Sequence, residues 1–483
     1  MSFLITLLLL FIIVYCIFYY IRRPRNTPPG PLGLPIVGSL PFISSDTAHL
    51  KLQEWSRKYG SIFSFYLGSE LVICLADLDT IKDAMLKQGD IFSGRPNRTV
   101  FKKETNYGVL TNDGDRWKNQ RRFALQTLRD FGFGKPLMER VITEESARVV
   151  DEIHHLQGAP VDLQELLNNA VSNVICHLVF GHRFEYDDPQ FKELLDKINF
   201  LASRAGFNVT HYVHYFPWMA LLNPIFLQLK QKREQLLGFA ATKLKEHLGD
   251  FEPESEATDY IYAFLKAKHD KMPYTEDEQL IHSIHHLFVA GTETTSTTLR
   301  WGLLLMCQRE DVQRRVRQEL SEVVGQGNCP ELNHRSKLPY TEAVLAEIQR
   351  LANLVPLSLP HRALQDTTLK GYNIPKDTTV IPLLWAVHKD ASLFEEPDEM
   401  KPERYLDKDG KFQKPDSLIP FGTGKRVCLG ESLAKMELFL FFTAMIQRFH
   451  FSTPPGERTP GLDEYFAGIT MCPKPFKVCA KPL

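Results

Sequence analysis

The stretch Phe421-Gly-Thr-Gly-Lys-Arg-Val-Cys-Leu-Gly430 sets one cysteine, Cys428, among three glycines and two cations, directly before an apolar helical run. Glycines at 422, 424 and 430 let the backbone approach something bulky closely. Lys425 and Arg426 favour a negative charge, and a helix from Leu429 to about Phe449 would bring its positive end beside the sulfur. A thiolate held this way is a nucleophile, a redox thiol or a metal ligand. A lone cysteine is also often a small buried hydrophobe, and the loop alone leaves that reading open.

Three further groups carry chemical potential. The segment Ala290-Gly-Thr-Glu-Thr-Thr-Ser-Thr-Thr298 fills a helix interior with five threonines and a serine, residues that bond back to their own backbone. Within it Glu293 and Thr294 supply an acid and a hydroxyl beside Gly291, enough to pass protons through water; a solvated threonine face is the plainer alternative. Trp117 and Arg121 lie one turn apart, an indole N–H beside a guanidinium, suited to a carboxylate. Glu347 and Arg350 share a helix face at i,i+3, with Pro402-Glu-Arg-Tyr405 able to add Arg404 to the pair.

These residues need a frame. Helical spacing covers about 113–128, 139–155, 189–203, 226–248, 276–307, 310–324 and 339–351. Thr275-Glu-Asp-Glu278 reads as a capping box for the fifth of these helices. Ser61–Leu67 and Glu70–Leu75, joined by Gly68-Ser69, read as a hairpin, and 371–374 with 378–384 as a second strand pair. The expected class is mainly α with small β-sheets. Aromatic residues crowd 196–226 (Phe200, Phe207, Tyr212, Tyr215, Phe216 and Trp218), fit for core packing, a pocket roof or a lipid-facing surface.

The N-terminus reads as an anchor. Phe3–Ile21 is uncharged and long enough for a bilayer core, and Arg22, Arg23 and Arg25 follow it rather than precede it, unlike a cleaved signal peptide. The expected organisation is a transmembrane anchor over 1–21, a basic and proline-rich hinge over 22–38, and one large catalytic domain over 39–483. Sequons at Asn97 and Asn208 would then stay cytosolic, away from glycosylation. A net charge of −1 excludes a generally basic nucleic-acid binder. Eight cysteines without framework spacing or a C-x-x-C pair suggest reduced thiols and no structural zinc.

Together the pieces resemble one family. Phe421-x-x-Gly-x-Arg-x-Cys-x-Gly430 is similar to the cysteine loop of the cytochrome P-450 haem-thiolate monooxygenases. Trp-x-x-x-Arg, Ala-Gly-x-Glu-Thr-Thr, Glu-x-x-Arg and Pro-Glu-Arg follow in that family's order, closest to microsomal family 2 enzymes. Tyr405 departs from the usual phenylalanine. The resemblance implies the cytochrome P-450 fold and haem b (iron protoporphyrin IX), with Cys428 as axial thiolate to the iron. It assigns Trp117, Arg121 and Arg426, with Arg95 and His361, to the haem propionates, and Ala290 and Gly291 to the oxygen pocket. Glu293 and Thr294 would deliver protons, while Glu347, Arg350 and Arg404 lock the structure near the haem.

The resemblance further implies O2 and NADPH as co-substrates. NADPH-cytochrome P-450 reductase and cytochrome b5 would dock on a basic surface of Lys118, Arg122, Arg129, Lys135 and Lys425, since the chain has no G-x-G-x-x-G fingerprint of its own. The location would be the endoplasmic reticulum membrane, single-pass, with the catalytic domain cytosolic. Small lipophilic substrates are expected: polyunsaturated fatty acids, xenobiotics, and less readily steroids. The pocket would draw on 97–110, 199–215, 354–359, 469–471 and the turn at Phe288. Two alternatives stand beside this: a haem-thiolate peroxide isomerase or dehydratase needing no O2, and a non-catalytic haem-binding protein.

Overall fold

A computed structural model describes residues 6–8, 10, 11, 14, 23–96, 106–131, 136–204, 212–325 and 327–483. Among these, the helices of ten residues or more are α1 (Ala48–Tyr59), α2 (Gly114–Asp130), α3 (Pro136–His155), α4 (Gln164–Phe180), α5 (Pro189–Arg204) and α6 (Pro224–Gly249). They continue as α7 (Tyr260–His269), α8 (Asp277–Gln308), α9 (Glu310–Val323), α10 (Pro339–Ala352) and α11 (Glu431–Arg448). The mainly helical class holds, and the expected helices are present within a few residues. The anchor run lies mostly outside the described residues, among which no helix is long and apolar enough to cross a membrane.

The central element is α8, about 48 Å long at ~1.5 Å per residue. It packs on α4, where Ser172 Oγ donates to Thr292 Oγ1 over 3.1 Å, and a Cβ at Gly291 would meet Ile175 Cδ1 at 2.5 Å. Gly291 is therefore what lets the two helices touch. The solvated-threonine reading fails, because Thr292, Thr295, Thr297, Thr298 and Ser296 are buried. Their hydroxyls are satisfied internally: Ser296 and Thr298 donate to carbonyls four residues back, over 2.8 Å each. The expected capping box is absent. Glu276 is the N-cap and makes no side-chain cap; its carboxylate instead takes both Arg116 Nη atoms, while Thr275 Oγ1 donates to Met272 O. A long-range ion pair outcompeted the local motif.

The sheets are small. β1 (Ile62–Leu67) and β2 (Glu70–Leu75) form the expected antiparallel hairpin. The second expected pair is wrong in its partners. β5 (Tyr372–Ile374) pairs with β4 (Thr367–Leu369), whereas β6 (Thr379–Pro382) runs parallel to β2 and antiparallel to β3 (His361–Arg362). The resulting order, β1-β2-β6-β3, sets His361, which is buried, on the edge strand β3. The proline-rich segment is not a free-standing spacer. Ser64 N–H donates to Pro29 O at 2.7 Å, Ser39 N–H to Tyr66 O at 2.6 Å, and Arg23 to Pro31 O at 2.6 Å, laying the segment along β1.

A buried ionic knot ties α10 to the chain before the cysteine loop. Glu347 accepts Arg350 Nε (2.8 Å) and Nη2 (2.7 Å), Arg404 Nε (3.2 Å), the Lys401 N–H (3.0 Å) and the Tyr405 hydroxyl (2.9 Å). Arg350 also donates to the carbonyls of His388 and Pro397, and His388 Nε2 receives the Ile419 N–H two residues before Phe421. The expected pairing of Glu347, Arg350 and Arg404 is thus present. Tyr405 adds a hydrogen bond that phenylalanine could not.

Candidate functional site: a cysteine beneath a cationic cradle

The loop around Cys428 is fixed by its backbone. Cys428 N–H donates to Phe421 O over 3.0 Å and Val427 N–H to Gly424 O over 3.1 Å, around a short 3-10 turn at Gly424–Arg426. Gly424 has φ +82° and stands where a Cβ would fall 2.1 Å from Met85 O, so only glycine closes the loop here. At Gly422 and Gly430 a Cβ would meet nothing within 4 Å. The bulky object that the three glycines were expected to approach is, at Gly424, the backbone of Met85.

The Cys428 side chain is exposed at the loop's edge although protein crowds it on other sides. Burial pushes its thiol up, while the Gly430 N–H and the Arg121 guanidinium pull it down. Arg121 Nη2 donates to Val427 O at 2.6 Å, which holds that cation next to the sulfur. The helix following the sulfur is α11, as expected.

Around this loop the structure gathers residues from four places in the chain. Arg426 donates to Ser93 O (2.7 Å) and Asn112 O (2.6 Å), and its guanidinium lies 3.8 Å from the Trp117 ring centre. Arg95 donates to Leu359 O (2.8 Å) and Pro360 O (2.9 Å). His361 Nδ1 faces Phe92 O at 2.7 Å. Burial and mutual repulsion depress these cations: Arg95 to about 10, Arg426 to about 8, and His361 well below its usual value. Asp113 is the carboxylate that offsets Arg426, and it is already bonded to Arg362.

Such a cluster calls for anions. Its guanidiniums donate to carbonyls, and among the described residues Trp117 Nε1 and both side-chain polar atoms of Asn112 are buried without a partner. A flat group bearing two carboxylates, set above a thiolate, satisfies these donors; the residues present fit a haem. Arg95, Trp117, Arg121, His361, Arg426 and Cys428 thus lie around one loop.

The α8 side of the site is less simple than expected. Ala290, Gly291 and Thr294 are half-buried in an otherwise buried stretch, and Thr294 Oγ1 donates to Ala290 O over 2.7 Å. Glu293 turns away from Thr294. Its Oε1 accepts Thr297 Oγ1 (3.0 Å) and Cys472 Sγ (3.1 Å), and burial raises its pKa despite both bonds. Cys472, on the strand Met471–Pro473, is absent from the sequence-based site; nothing local marks a strand cysteine as the partner of a helix acid. Its thiol is pushed up to about 12, chiefly by burial, and so remains a donor.

Of the basic surface, Arg122 and Arg129 are exposed, Lys118 pairs with Asp115 at 3.3 Å, and Lys425 pairs with Asp90. Lys135 and Phe207 lie outside the described residues, as do 97–105 and 205–211 of the expected pocket. Trp218, Leu221 and Leu222 are exposed around the turn Pro217–Leu221, while Tyr212, Tyr215 and Phe216 pack partly against the β1–α1 core. The seven described cysteines are free thiols, and no group of three metal-binding side chains occurs among the described residues.

The comparisons agree with the geometry. The family model for cytochrome P450 matches residues 28–480. Cytochrome P450 2J2 of Homo sapiens is 39% identical over 470 residues, covering 95% of this chain and 92% of that protein. Cytochrome P450 2J1 of Oryctolagus cuniculus is 40% identical, covering 98% and 96%, and cytochrome P450 2B2 of Rattus norvegicus 38%, covering 98% of each. The chain belongs to the cytochrome P450 family, with family 2 members among its relatives. It is a haem-thiolate oxidoreductase of the monooxygenase class.

Proposed function

We propose that this chain, held at the endoplasmic reticulum by 1–21 and its 22–38 segment, uses domain 39–483 to insert one oxygen atom from O2 into lipophilic substrates. Two electrons from NADPH enter through NADPH-cytochrome P-450 reductase, with cytochrome b5 as a second donor. Unsaturated fatty acids and xenobiotics are the substrate classes. The observation that carries the reading is Cys428 beside a cradle of Arg95, Arg121 and Arg426, whose guanidiniums donate to carbonyls, with Trp117 Nε1 buried and unpartnered.

Bound there, haem would supply the activation of O2, and Cys428 is the residue that would hold its iron. The protein's own tasks are separable. Arg121 and Arg426 would hold the propionates and shield the thiolate loop from water. Thr294 holds a proton at Oγ1, hydrogen-bonded to Ala290 O and free to turn through one rotamer. Glu293 sits one residue away in a buried niche where Cys472 and Thr297 donate to its carboxyl and burial raises its pKa, which favours its taking up a proton. Arg122 and Arg129 offer exposed charge to an acidic donor.

The test is a reconstituted assay with reductase, NADPH and a lipid extract, read by mass spectrometry for products gaining one oxygen. Thr294→Ala should bind substrate normally but form less product per NADPH consumed. Product formation without NADPH, or unchanged coupling in the variant, would contradict the reading.

A further inference from the structure

Glu293 and Thr294 are adjacent in the chain but serve different neighbours. Thr294 Oγ1 donates to Ala290 O, whereas the Glu293 carboxyl lies against the hairpin of strands Tyr465–Ala467 and Met471–Pro473. There Cys472 Sγ donates to Glu293 Oε1 over 3.1 Å and Thr297 Oγ1 to the same oxygen over 3.0 Å. The hydroxyls of Thr470 and Thr297 stand 3.6 and 3.7 Å from the sulfur. All four residues are buried, Glu293 at 6% and Cys472 at 9% exposure.

The hairpin that carries the sulfur is itself tied down on three sides. Trp301, two turns beyond Glu293 on α8, donates its Nε1–H to Met471 O over 2.8 Å. The Met471 N–H donates to Leu354 O over 2.8 Å, just past the end of α10. At the hairpin's turn, Ile469 N–H donates to Ala202 O of α5 over 3.1 Å. A Cβ at Gly468 would stand 2.0 Å from that same carbonyl, so the turn seats on α5 only with glycine there. The thiol is thus presented to Glu293 by backbone that has little freedom to move away.

A thiol is a weak hydrogen-bond donor. Burial, and then the charge of Glu293, push that of Cys472 up to about 12, so it keeps its proton across the physiological range. Burial raises Glu293 as well, and Cys472, Thr297, Arg300 and Thr470 oppose it, since each favours the ionised carboxylate. Arg300 is buried and is itself offset by Asp162, 3.8 Å away. Glu437, a buried acid from α11, faces Thr295 instead. Of the two donors bonded to Glu293 Oε1, Thr297 belongs to α8 and turns with it; Cys472 comes from outside.

Building on the proton-delivery role proposed above for Glu293, we propose that Cys472 is a positioning residue for that step. Its thiol holds the ionised carboxyl against the hairpin, turned from Thr294. When a proton from water reaches Glu293 the acceptor becomes neutral, and the bond from the thiol loses its charge assistance. The carboxyl is then released to turn about its own side-chain torsions towards Thr294. A sulfur donor suits this task because the hold must break at every turnover. Cys472 keeps its own proton throughout, so the protons delivered are those that Glu293 takes from water.

The test is infrared difference spectroscopy of the full-length holoenzyme at rest, titrated with pH. Cys472→Ala identifies the S–H band of Cys472 by its loss, and Glu293→Gln identifies the carboxyl band of Glu293. Losing a donor disfavours the carboxylate, so in Cys472→Ala the Glu293 midpoint should move to higher pH, and Cys472→Ser, which keeps a donor, should bring it back. In turnover with reductase and NADPH, product per NADPH falls as pH rises through that midpoint. The fall should therefore come at higher pH in Cys472→Ala and return in Cys472→Ser, whereas a merely structural cysteine would lower coupling equally at every pH. Should Cys472→Ala fail to fold, the wild type decides: its bonded S–H band must shift in step with the Glu293 carboxyl band. An unmoved midpoint in Cys472→Ala, or S–H bands that ignore both pH and Glu293→Gln, would overturn the positioning role. Unchanged product per NADPH in Glu293→Gln would instead refute the proton-delivery reading on which it rests.

Discussion

Tyr405→Phe isolates the bond by which the buried knot around Glu347 differs from a phenylalanine-bearing one. Glu347 is fully buried and accepts five donors, one of which is the Tyr405 hydroxyl at 2.9 Å. Removing one donor from a charged, buried acceptor costs about 1.5–3 kcal/mol, with the lower end expected because Arg350 Nε still serves the same oxygen at 2.8 Å. Glu347→Gln removes the charge facing Arg350, which is wholly buried, and should cost about 3–5 kcal/mol, a large share of a typical ~5–15 kcal/mol stability. In the Glu347→Gln background the tyrosine loses its charged acceptor, so Tyr405→Phe should there cost less than about 1 kcal/mol. Isothermal urea unfolding of the four proteins, followed by circular dichroism and haem absorbance, measures this cycle. Additive effects of the two substitutions would refute the claim that the hydroxyl acts through Glu347.

Other perturbations probe separate parts of the molecule. Glu437 on α11 is buried against Thr295 Oγ1 at 3.1 Å, and burial raises its pKa from 4.5 to about 8. A raised folded-state value means stability is lost as pH climbs from 4.5 to 8, by about 1.4 kcal/mol per unit at most. Glu437→Gln should therefore match the wild type near pH 4 and exceed its stability above pH 8; a constant difference across pH would contradict this. Reversing charge at Arg122 and Arg129 should slow reduction by the reductase more at low salt than at high salt, whereas a salt-independent defect would indicate damaged folding.

Much of this molecule is visible in its residues. The Cys428 loop, the Trp117–Arg121 turn and the hairpin 61–75 depend on local spacing, and local spacing is what a sequence displays. α4 carries no stripe that repeats at 3.6 residues because it is buried on nearly every face, Leu167 to Phe180, with Asn168, Asn169, Ser172 and Asn173 buried among its apolar residues. β6 was given the neighbour nearest in sequence, but its partner β2 lies some three hundred residues earlier, and strand alternation carries no address. Glu293 was read beside Thr294 because they are adjacent, yet consecutive helix positions diverge by about 100°. One of them therefore turned to Cys472 on a distant strand. The histidines at 282, 285 and 286 carry an i, i+3, i+4 signal that names a shared face but not what the face meets.

The central claim is that Cys428 is the haem's thiolate ligand. Reduced protein exposed to carbon monoxide should show the long-wavelength Soret band of a thiolate-ligated haem, and Cys428→Ser, with its haem still bound, should lose that band. Retention of the band in Cys428→Ser would mean that another residue holds the iron, and the account built on this loop would be wrong.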